Sequence, residues 1–273
     1  MTSTVPAPSP AGIPAEILAS GVTVFFPAYN DAPTIADLVR GACRVLSPLA
    51  CDYEVVVIND GSRDGTASVL DALEAEIGPR LRVVTHPFNR GYGAALRSGF
   101  AAARYPWVFY TDGDGQYDVR ELRDLVELAG DGVGLVNGYK LRRHDPVHRI
   151  WIGHIYNQAV RRLFGIRLRD IDCDFRLIRR RIVSPQRLTA DGGAICIQIA
   201  MLAESSGLST IEAPVHHYPR LHGHSQFFRI APLWNTLREL TSLYFDRVVR
   251  PRLRRLGIRP VNLAGSSRAA EGD

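Results

Sequence analysis

Two hydrophobic rhythms alternate along the first half of the chain. Val22–Phe26 is a short, unbroken apolar run rich in β-branched and aromatic residues, the mark of a strand buried on both faces. A pattern of helical period follows over Ala32–Leu46. The pair recurs as Glu54–Ile58 with Gly65–Ile77, Leu81–Thr85 with Gly91–Ala103, and Trp107–Tyr110 with Val119–Ala129. Such alternation predicts βαβ units and a mostly parallel α/β sheet with helices on both faces.

Past Val136 the rhythm loosens. The spacing predicts a helix over His148–Leu163, a polar segment Arg169–Arg176 and a helix near Gln198–Ser205. A short strand Ser209–Ala213 and a His- and Gly-rich loop His216–Ser225 follow. From Phe227 to Val249 apolar residues return at helical spacing: Ile230, Leu233, Trp234, Leu237, Leu240, Tyr244, Val248. Six arginines lie between Arg247 and Arg259 with no acid among them. This divides the chain into a Pro-, Ala- and Ser-rich flexible tail (1–20), one α/β domain (21–226), an amphipathic basic C-terminal helical segment (227–260) and a disordered end (261–273).

Composition narrows the class. Of the 273 residues, 46% are hydrophobic and 22% charged, as in globular proteins. The formal net charge of +5 suits an anionic partner. Nucleic acid is not the expected one, because the arginines cluster at the tail without interleaved aromatics. The four cysteines, at 43, 51, 173 and 196, show no metal-binding spacing and read as buried free thiols. No secretory leader opens the chain and no run approaches the ~18–20 apolar residues of a membrane span. The expectation is a cytoplasmic protein whose membrane contact, if any, is peripheral.

In a Rossmann-like sheet, ligands lie beyond the carboxyl ends of the strands. The first strand runs into Pro27-Ala28-Tyr29-Asn30-Asp31, the second into Asn59-Asp60-Gly61-Ser62-Arg63-Asp64-Gly65-Thr66, and the fourth into Thr111-Asp112-Gly113-Asp114-Gly115-Gln116. Each alone is ordinary turn and N-cap chemistry; three on one rim are a site. Asp112 and Asp114, one residue apart, can aim oxygens at one hard cation, Mg²⁺ or Mn²⁺, and Gln116 adds a neutral oxygen. Without such a cation the two carboxylates would repel a phosphate ligand. Asp60 suits a base imide N–H or a ribose hydroxyl. The glycines of Asn89-Arg90-Gly91-Tyr92-Gly93 allow a nucleotide close to the backbone. That turn is neither a full GxGxxG nor a P-loop, which counts against a dinucleotide oxidoreductase or a P-loop kinase.

Taken in order, Pro-Ala-Tyr-Asn-Asp, Asn-Asp-Gly-Ser-Arg-Asp-Gly-Thr, Asn-Arg-Gly-Tyr-Gly-Ala-Ala and Asp-Gly-Asp-Gly-Gln resemble the family 2 glycosyltransferases of GT-A fold. The chain is most similar to their dolichyl- and polyprenyl-phosphate sugar synthases. Asp170-Ile-Asp-Cys-Asp-Phe-Arg176 and Arg220-Leu-His-Gly-His-Ser-Gln226 extend the resemblance over about Val22 to Arg229. It implies that Pro27, Tyr29, Asp31 and Asp60 hold the nucleoside of a UDP- or GDP-sugar, with Arg90 and Gly91 beside it. It also implies that Asp112, Asp114 and Gln116 hold the metal, and that Arg220 and Ser225 lie on a loop closing over the donor. Asp170, Asp172 and Arg176 border the sugar and acceptor by the same resemblance. Two positions depart from the family: it often has Glu at Asp31 and an acidic pair at Asn59-Asp60.

An acceptor phosphate is already anionic at neutral pH, so positive guidance matters more than a general base. Lys140, Arg142, Arg143 and Arg176 fit by charge and position. The resulting expectation is metal-dependent transfer of a hexose, with inversion, to a polyprenyl phosphate at an anionic, cytosolic membrane surface. The segment Phe227–Val249 has two readings, a C-terminal helix packed on the domain with a solvated arginine tail, or a helix in that interface with its apolar face inserted; the second is favoured. Two other readings stand beside it: a soluble or polysaccharide acceptor, or a noncatalytic nucleotide-sugar-binding subunit.

Overall fold

The computed structural model describes residues 12–49, 51–141, 147–220 and 238–255, with backbone only at 147–154 and 254. Seven strands form one sheet: β1 (Val22–Ala28), β2 (Tyr53–Asn59), β3 (Leu81–Thr85), β4 (Trp107–Thr111), β5 (Val133–Lys140), β6 (Phe175–Arg179) and β7 (Ser209–Val215), in the order β3-β2-β1-β4-β6-β5-β7. The block β3-β2-β1-β4 is parallel, as is the pair β5-β7, whereas β6 runs antiparallel to both β4 and β5. All strands but β6 therefore point one way, and six carboxyl ends meet along one rim.

Helices cover both faces: α1 (Ala15–Ser20), α2 (Ile35–Leu46), α3 (Thr66–Ile77), α4 (Tyr92–Ala102), α5 (Leu122–Leu128), α6 (Val147–Phe164) and α7 (Ala194–Glu204). Every residue of β1 and β2 is buried, and alternate residues feed two cores. Val22, Val24 and Phe26 face α1, α2, α3 and α5 with Val55, Val57, Trp107 and Phe109. Phe25 faces the other side with Val56, Ile58, Val108 and Tyr110, under α4 and α7. There Phe25, Phe100 and Tyr110 pack with ring centroids 5.1–5.6 Å apart. Gly99 in α4 is required because a Cβ would strike the Phe25 ring.

The α/β architecture agrees with the sequence expectation, and differences fall where the alternation fails. Residues 133–140 and 175–179 are strands, although the second opens inside the segment read as polar. Within the presumed tail, Ile13 and Ile17 are buried and Glu16 pairs with Arg179, so order begins before Ser20. Residues 238–255 are helical, with a π-helical turn at Phe245–Val249; residues 227–237 and 256–273 of the predicted C-terminal segments lie outside the described residues. Cys173 and Cys196 are buried, Cys43 and Cys51 half-buried, and all four are free. Among the described residues no helix is long and apolar enough to cross a membrane.

Candidate active site

The loops leaving β1, β2 and β4 are stitched together at the rim. Asn30, in the left-handed region at φ 59°, donates its N–H to Ser62 Oγ at 3.0 Å and accepts from Arg63 N at 2.8 Å. Asp31 N donates to Thr66 Oγ1 at 3.1 Å, and Thr34 Oγ1 to the Gly113 carbonyl at 2.6 Å. Gly113 N reaches the Pro27 carbonyl at 3.2 Å, and a Cβ there would lie 2.7 Å from that oxygen. These bonds put Pro27, Tyr29 and Asp31 beside the Asp112–Asp114 turn. Burial, aided by the negative charge of Asp114, raises the Asp31 carboxyl to about 6 against the pull of Tyr29 N.

Asp60 is 3% exposed and already well bonded. Its Oδ1 accepts from His86 Nδ1 at 2.6 Å and Arg90 N at 2.9 Å, and its Oδ2 from Gly91 N at 3.0 Å. His86 Nε2 lies 2.8 Å from Ser98 Oγ. Three of about four acceptor positions on Asp60 are thus committed to the protein, and one on Oδ2 remains for a ligand. The glycines of the 89–93 turn serve a different contact from the one expected. Gly93 N donates to Asp191 O at 2.8 Å, a Cβ on Gly91 would stand 2.9 Å from that same oxygen, and one on Gly93 would collide with Ala190 O. They admit the 190–191 backbone, and the Arg90 and Gly91 amides, rather than a ligand, take the Asp60 carboxylate.

The centre of the rim is acidic. Asp112 Oδ1 is buried and, among the described residues, has no hydrogen-bond partner. Burial first, then the charges of Asp174 and Asp114, hold the Asp112 carboxyl well above the ordinary range, with Tyr92 and Lys140 pulling the other way. Burial also raises Asp114, although Arg220 bonds its Oδ2 and Gln116 N donates to its Oδ1 at 2.9 Å. The Gln116 side chain donates to Tyr218 O at 3.0 Å, and Tyr218 N returns a bond to Gln116 O at 2.7 Å. With the Tyr117–His217 pairing these bonds fasten residues 216–220 against the Asp114 loop.

Asp174 is a carboxylate of the rim that sequence reasoning passed over. It lies in the motif with Asp170 and Asp172, one residue before β6. Because β6 is antiparallel, its beginning sits at the rim where β4 and β5 end. Asp174 accepts from Cys196 Sγ on α7 at 3.1 Å, and its charge bears on both Asp112 and Asp114. Reading 175–179 as a strand would have found it. Asp170 is buried, its carbonyl accepting from Asn137 Nδ2 at 3.2 Å. Asp172 accepts from Asn157 Nδ2 at 3.5 Å through Oδ2 and from Lys140 Nζ at 3.0 Å through its carbonyl.

Arg176 requires a correction. It is 0% exposed, and its guanidinium donates to the carbonyls of Cys173 at 3.0 Å, Cys196 at 3.3 Å and Ile171, and to Tyr110 Oη at 3.1 Å. A guanidinium so enclosed holds the 171–175 turn to α7 and is not placed to clamp an acceptor phosphate. Lys140 remains near the acid cluster, 6.0 Å from the Tyr117 ring centroid. Arg142, Arg143 and Ser225 lie outside the described residues.

Among the described residues no three His, Cys, Asp or Glu side chains are already gathered as a protein-only metal cage. The donor set still fits a hard cation. Mg²⁺ commonly takes one or two carboxylates, water and substrate phosphate. The unpartnered Asp112 oxygen and the Asp114 carboxylate, now neutralised by Arg220, supply that demand for positive charge.

Comparison with known proteins identifies the family. The Glycosyl transferase family 2 model matches residues 23–185. An undecaprenyl-phosphate 4-deoxy-4-formamido-L-arabinose transferase of Pseudomonas fluorescens is 32% identical over 92% of this chain and 70% of its own length. The transferase of the same name from Aeromonas hydrophila is 30% identical over 83% of this chain and 66% of its own; others from Pseudomonas aeruginosa are matched over 64% of their length. A solved glucosyl-3-phosphoglycerate synthase of Mycobacterium tuberculosis, in complex with Mn²⁺, UDP and glucosyl-3-phosphoglycerate, aligns at TM-score 0.59 and 21% identity over 94% of this chain and 88% of its own. With an α/β sheet of the GT-A kind, a family match across the rim loops and curated transferases at this similarity, the chain belongs to glycosyl transferase family 2.

Proposed function

We propose that the protein transfers a hexose or related sugar from a UDP- or GDP-sugar to a polyprenyl phosphate, with inversion at the anomeric carbon. The observation that carries this reading is the acidic rim: Asp112, Asp114 and Asp174 are crowded at strand ends with one buried oxygen unpaired, a costly arrangement unless a cationic ligand completes it. The transferases matched above are named for an undecaprenyl-phosphate acceptor, which supports the acceptor class. Mn²⁺ and UDP in the structurally similar synthase support the donor and metal class.

In the reaction, a phosphate oxygen of the acceptor bonds to the anomeric carbon while the carbon–oxygen bond to the nucleoside diphosphate breaks. Asp112 and Asp114 would hold Mg²⁺ or Mn²⁺, which supplies positive charge against the departing diphosphate. Pro27, Tyr29 and Asp31 line the nucleoside side, and the last acceptor position of Asp60 receives a base N–H or ribose hydroxyl. Lys140 offers charge for the incoming phosphate. Arg220, next to Asp114, is within reach of the diphosphate once a metal takes that carboxylate. Gln116 keeps its bond to Tyr218 and serves to hold the 216–220 segment.

The same reading puts the protein peripherally on an anionic membrane at the cytosolic face, with the arginines of the C-terminal segment as the contact; Leu240 and Leu243 are not available for insertion, because they pack against the domain. Truncation after Pro232 should then abolish liposome flotation; equal flotation by both chains contradicts that role. The catalytic proposal is tested by transfer of radiolabel from a panel of UDP- and GDP-sugars into organic-extractable polyprenyl phosphate, with Mg²⁺ or Mn²⁺ and with EDTA. Labelled lipid that requires the metal is the expected result. Metal-dependent donor hydrolysis without labelled lipid would transfer the reading to a soluble acceptor, and no turnover would overturn it in favour of a noncatalytic subunit.

A further inference from the structure

The loop 189–192 touches both halves of the proposed site. On one side Gly93 N donates to Asp191 O at 2.8 Å, Arg97 bonds Ala190 O and Asp191 Oδ1, and the 89–93 turn so supported gives its Arg90 and Gly91 amides to Asp60. On the other side the loop runs directly into α7, whose Cys196 thiol donates to Asp174 of the acid cluster. Gln198 secures the front of the loop, its Oε1 accepting from Thr189 N at 2.9 Å and Ala190 N at 3.1 Å.

The remaining anchor comes from far along the chain. Glu239, in the helical segment 238–255, accepts from Asp191 N at 3.0 Å and from Gly192 N at 3.0 Å and 3.2 Å through its two oxygens. Those amides precede the first turn of α7, where a carboxylate also meets the favourable end of the helix dipole. The same segment packs Leu240 and Leu243 into the core beneath α4 and α7. An ionised acceptor shared by two adjacent amides is a strong bond, and nothing else in the described structure bonds those two amides.

We propose that Glu239 is a positioning residue through which the C-terminal helical segment sets the donor site, by fixing the 191–192 amides and hence both the 89–93 turn and α7. This rests on the donor reading above in so far as it concerns nucleotide affinity. Displacement of the segment reaches Asp60 through the loop and Asp174 through Cys196, so one contact governs the nucleoside side and the acid cluster together. The family motifs contain no trace of it, because Glu239 lies well outside them.

The test uses the full chain as wild type, Glu239→Ala, Glu239→Gln and the control Asp246→Ala, which breaks only the pair with Arg250 on the same segment. Backbone hydrogen exchange is followed at 190–195 and 90–95, and UDP and GDP affinities are measured calorimetrically with Mg²⁺. The expected result for Glu239→Ala is about tenfold faster exchange in both regions and about tenfold weaker nucleotide binding, the scale of a lost charged hydrogen bond. Glu239→Gln, which keeps an acceptor, should fall between, and Asp246→Ala should match wild type. Faster exchange confined to 190–195 overturns the coupling, as does unchanged exchange in both regions. If wild type binds neither nucleotide, the donor reading fails, and the exchange data still decide the coupling.

Discussion

At the edge where the parallel strands begin, Glu54 is buried and its carboxylate is fully bonded: Thr23 Oγ1 at 2.8 Å, Arg104 N at 2.7 Å, and Arg82 through Nε at 3.1 Å and Nη2 at 2.9 Å. Nearby, bonds from Arg179 hold the Glu16 carboxyl below its ordinary range. At the opposite edge, where those strands end, Asp112 has a buried oxygen without a partner among the described residues, and burial, then the neighbouring carboxylates, raise its affinity for protons. The same sheet supports both edges. The difference teaches that the fold has the means to neutralise a buried carboxylate, and that a rim carboxylate left without such a partner is where a ligand is to be sought.

The sharpest way to break this comparison is to neutralise one carboxylate on each edge. Asp112→Asn should lower sugar transfer by about 10³-fold or more, and Asp114→Ala should do the same, while Asp112→Asn raises the thermal midpoint of the donor-free protein by a few degrees. Loss of activity with a gain of stability is the signature; near-wild-type turnover by either variant would remove the metal assignment. Glu54→Gln should do the reverse. It leaves Arg82 without its anion and costs about 2 kcal/mol in denaturant unfolding, less than the ~3–5 kcal/mol of a fully buried pair because Arg82 is part-exposed. Turnover per folded molecule should be unchanged.

Asp31 sharpens the comparison with pH. Its folded carboxyl titrates at about 6 against an ordinary 3.8, so the folded state holds its proton more tightly than the unfolded chain. The stabilising effect of that proton is complete below pH 3.8 and is lost as pH rises through about 6. Asp31→Asn should therefore stabilise the donor-free protein by about 2 kcal/mol at pH 7.5 and by nothing measurable at pH 3.5. A gain independent of pH would mean that packing, not charge, is responsible.

The parallel half of the fold was legible because unbroken apolar runs such as Val22–Phe26 alternate with helical periods. Val133–Lys140 was missed for a physical reason: Gly134, Asn137 and Gly138 interrupt its apolar run, although six of its eight residues are buried. Phe175–Arg179 was hidden by Arg176, whose charge suggests a surface residue. Its guanidinium is instead matched by three carbonyls and a phenol, two of them, Cys196 O and Tyr110 Oη, on distant segments that local pattern does not reach. The same misreading put Arg176 on a phosphate and left Asp174 unassigned. Asp112, Asp114 and Asp31 could be placed on the rim because strand ends are a local signal. His86 stands just after β3 and was open to the same rule, whereas Glu239 acts across 47 residues of chain to Gly192 and left no local mark.

The central claim, that the rim carboxylates Asp112 and Asp114 form a cation site for a nucleoside diphosphate, is tested most directly by titrating Mn²⁺ into wild type and Asp112→Asn with and without UDP or GDP, following free Mn²⁺ by electron paramagnetic resonance. Wild type should bind one Mn²⁺ per chain, more tightly with nucleotide present, and Asp112→Asn should lose that site while remaining folded. Equal Mn²⁺ binding by the two proteins, with nucleotide present, would contradict the account.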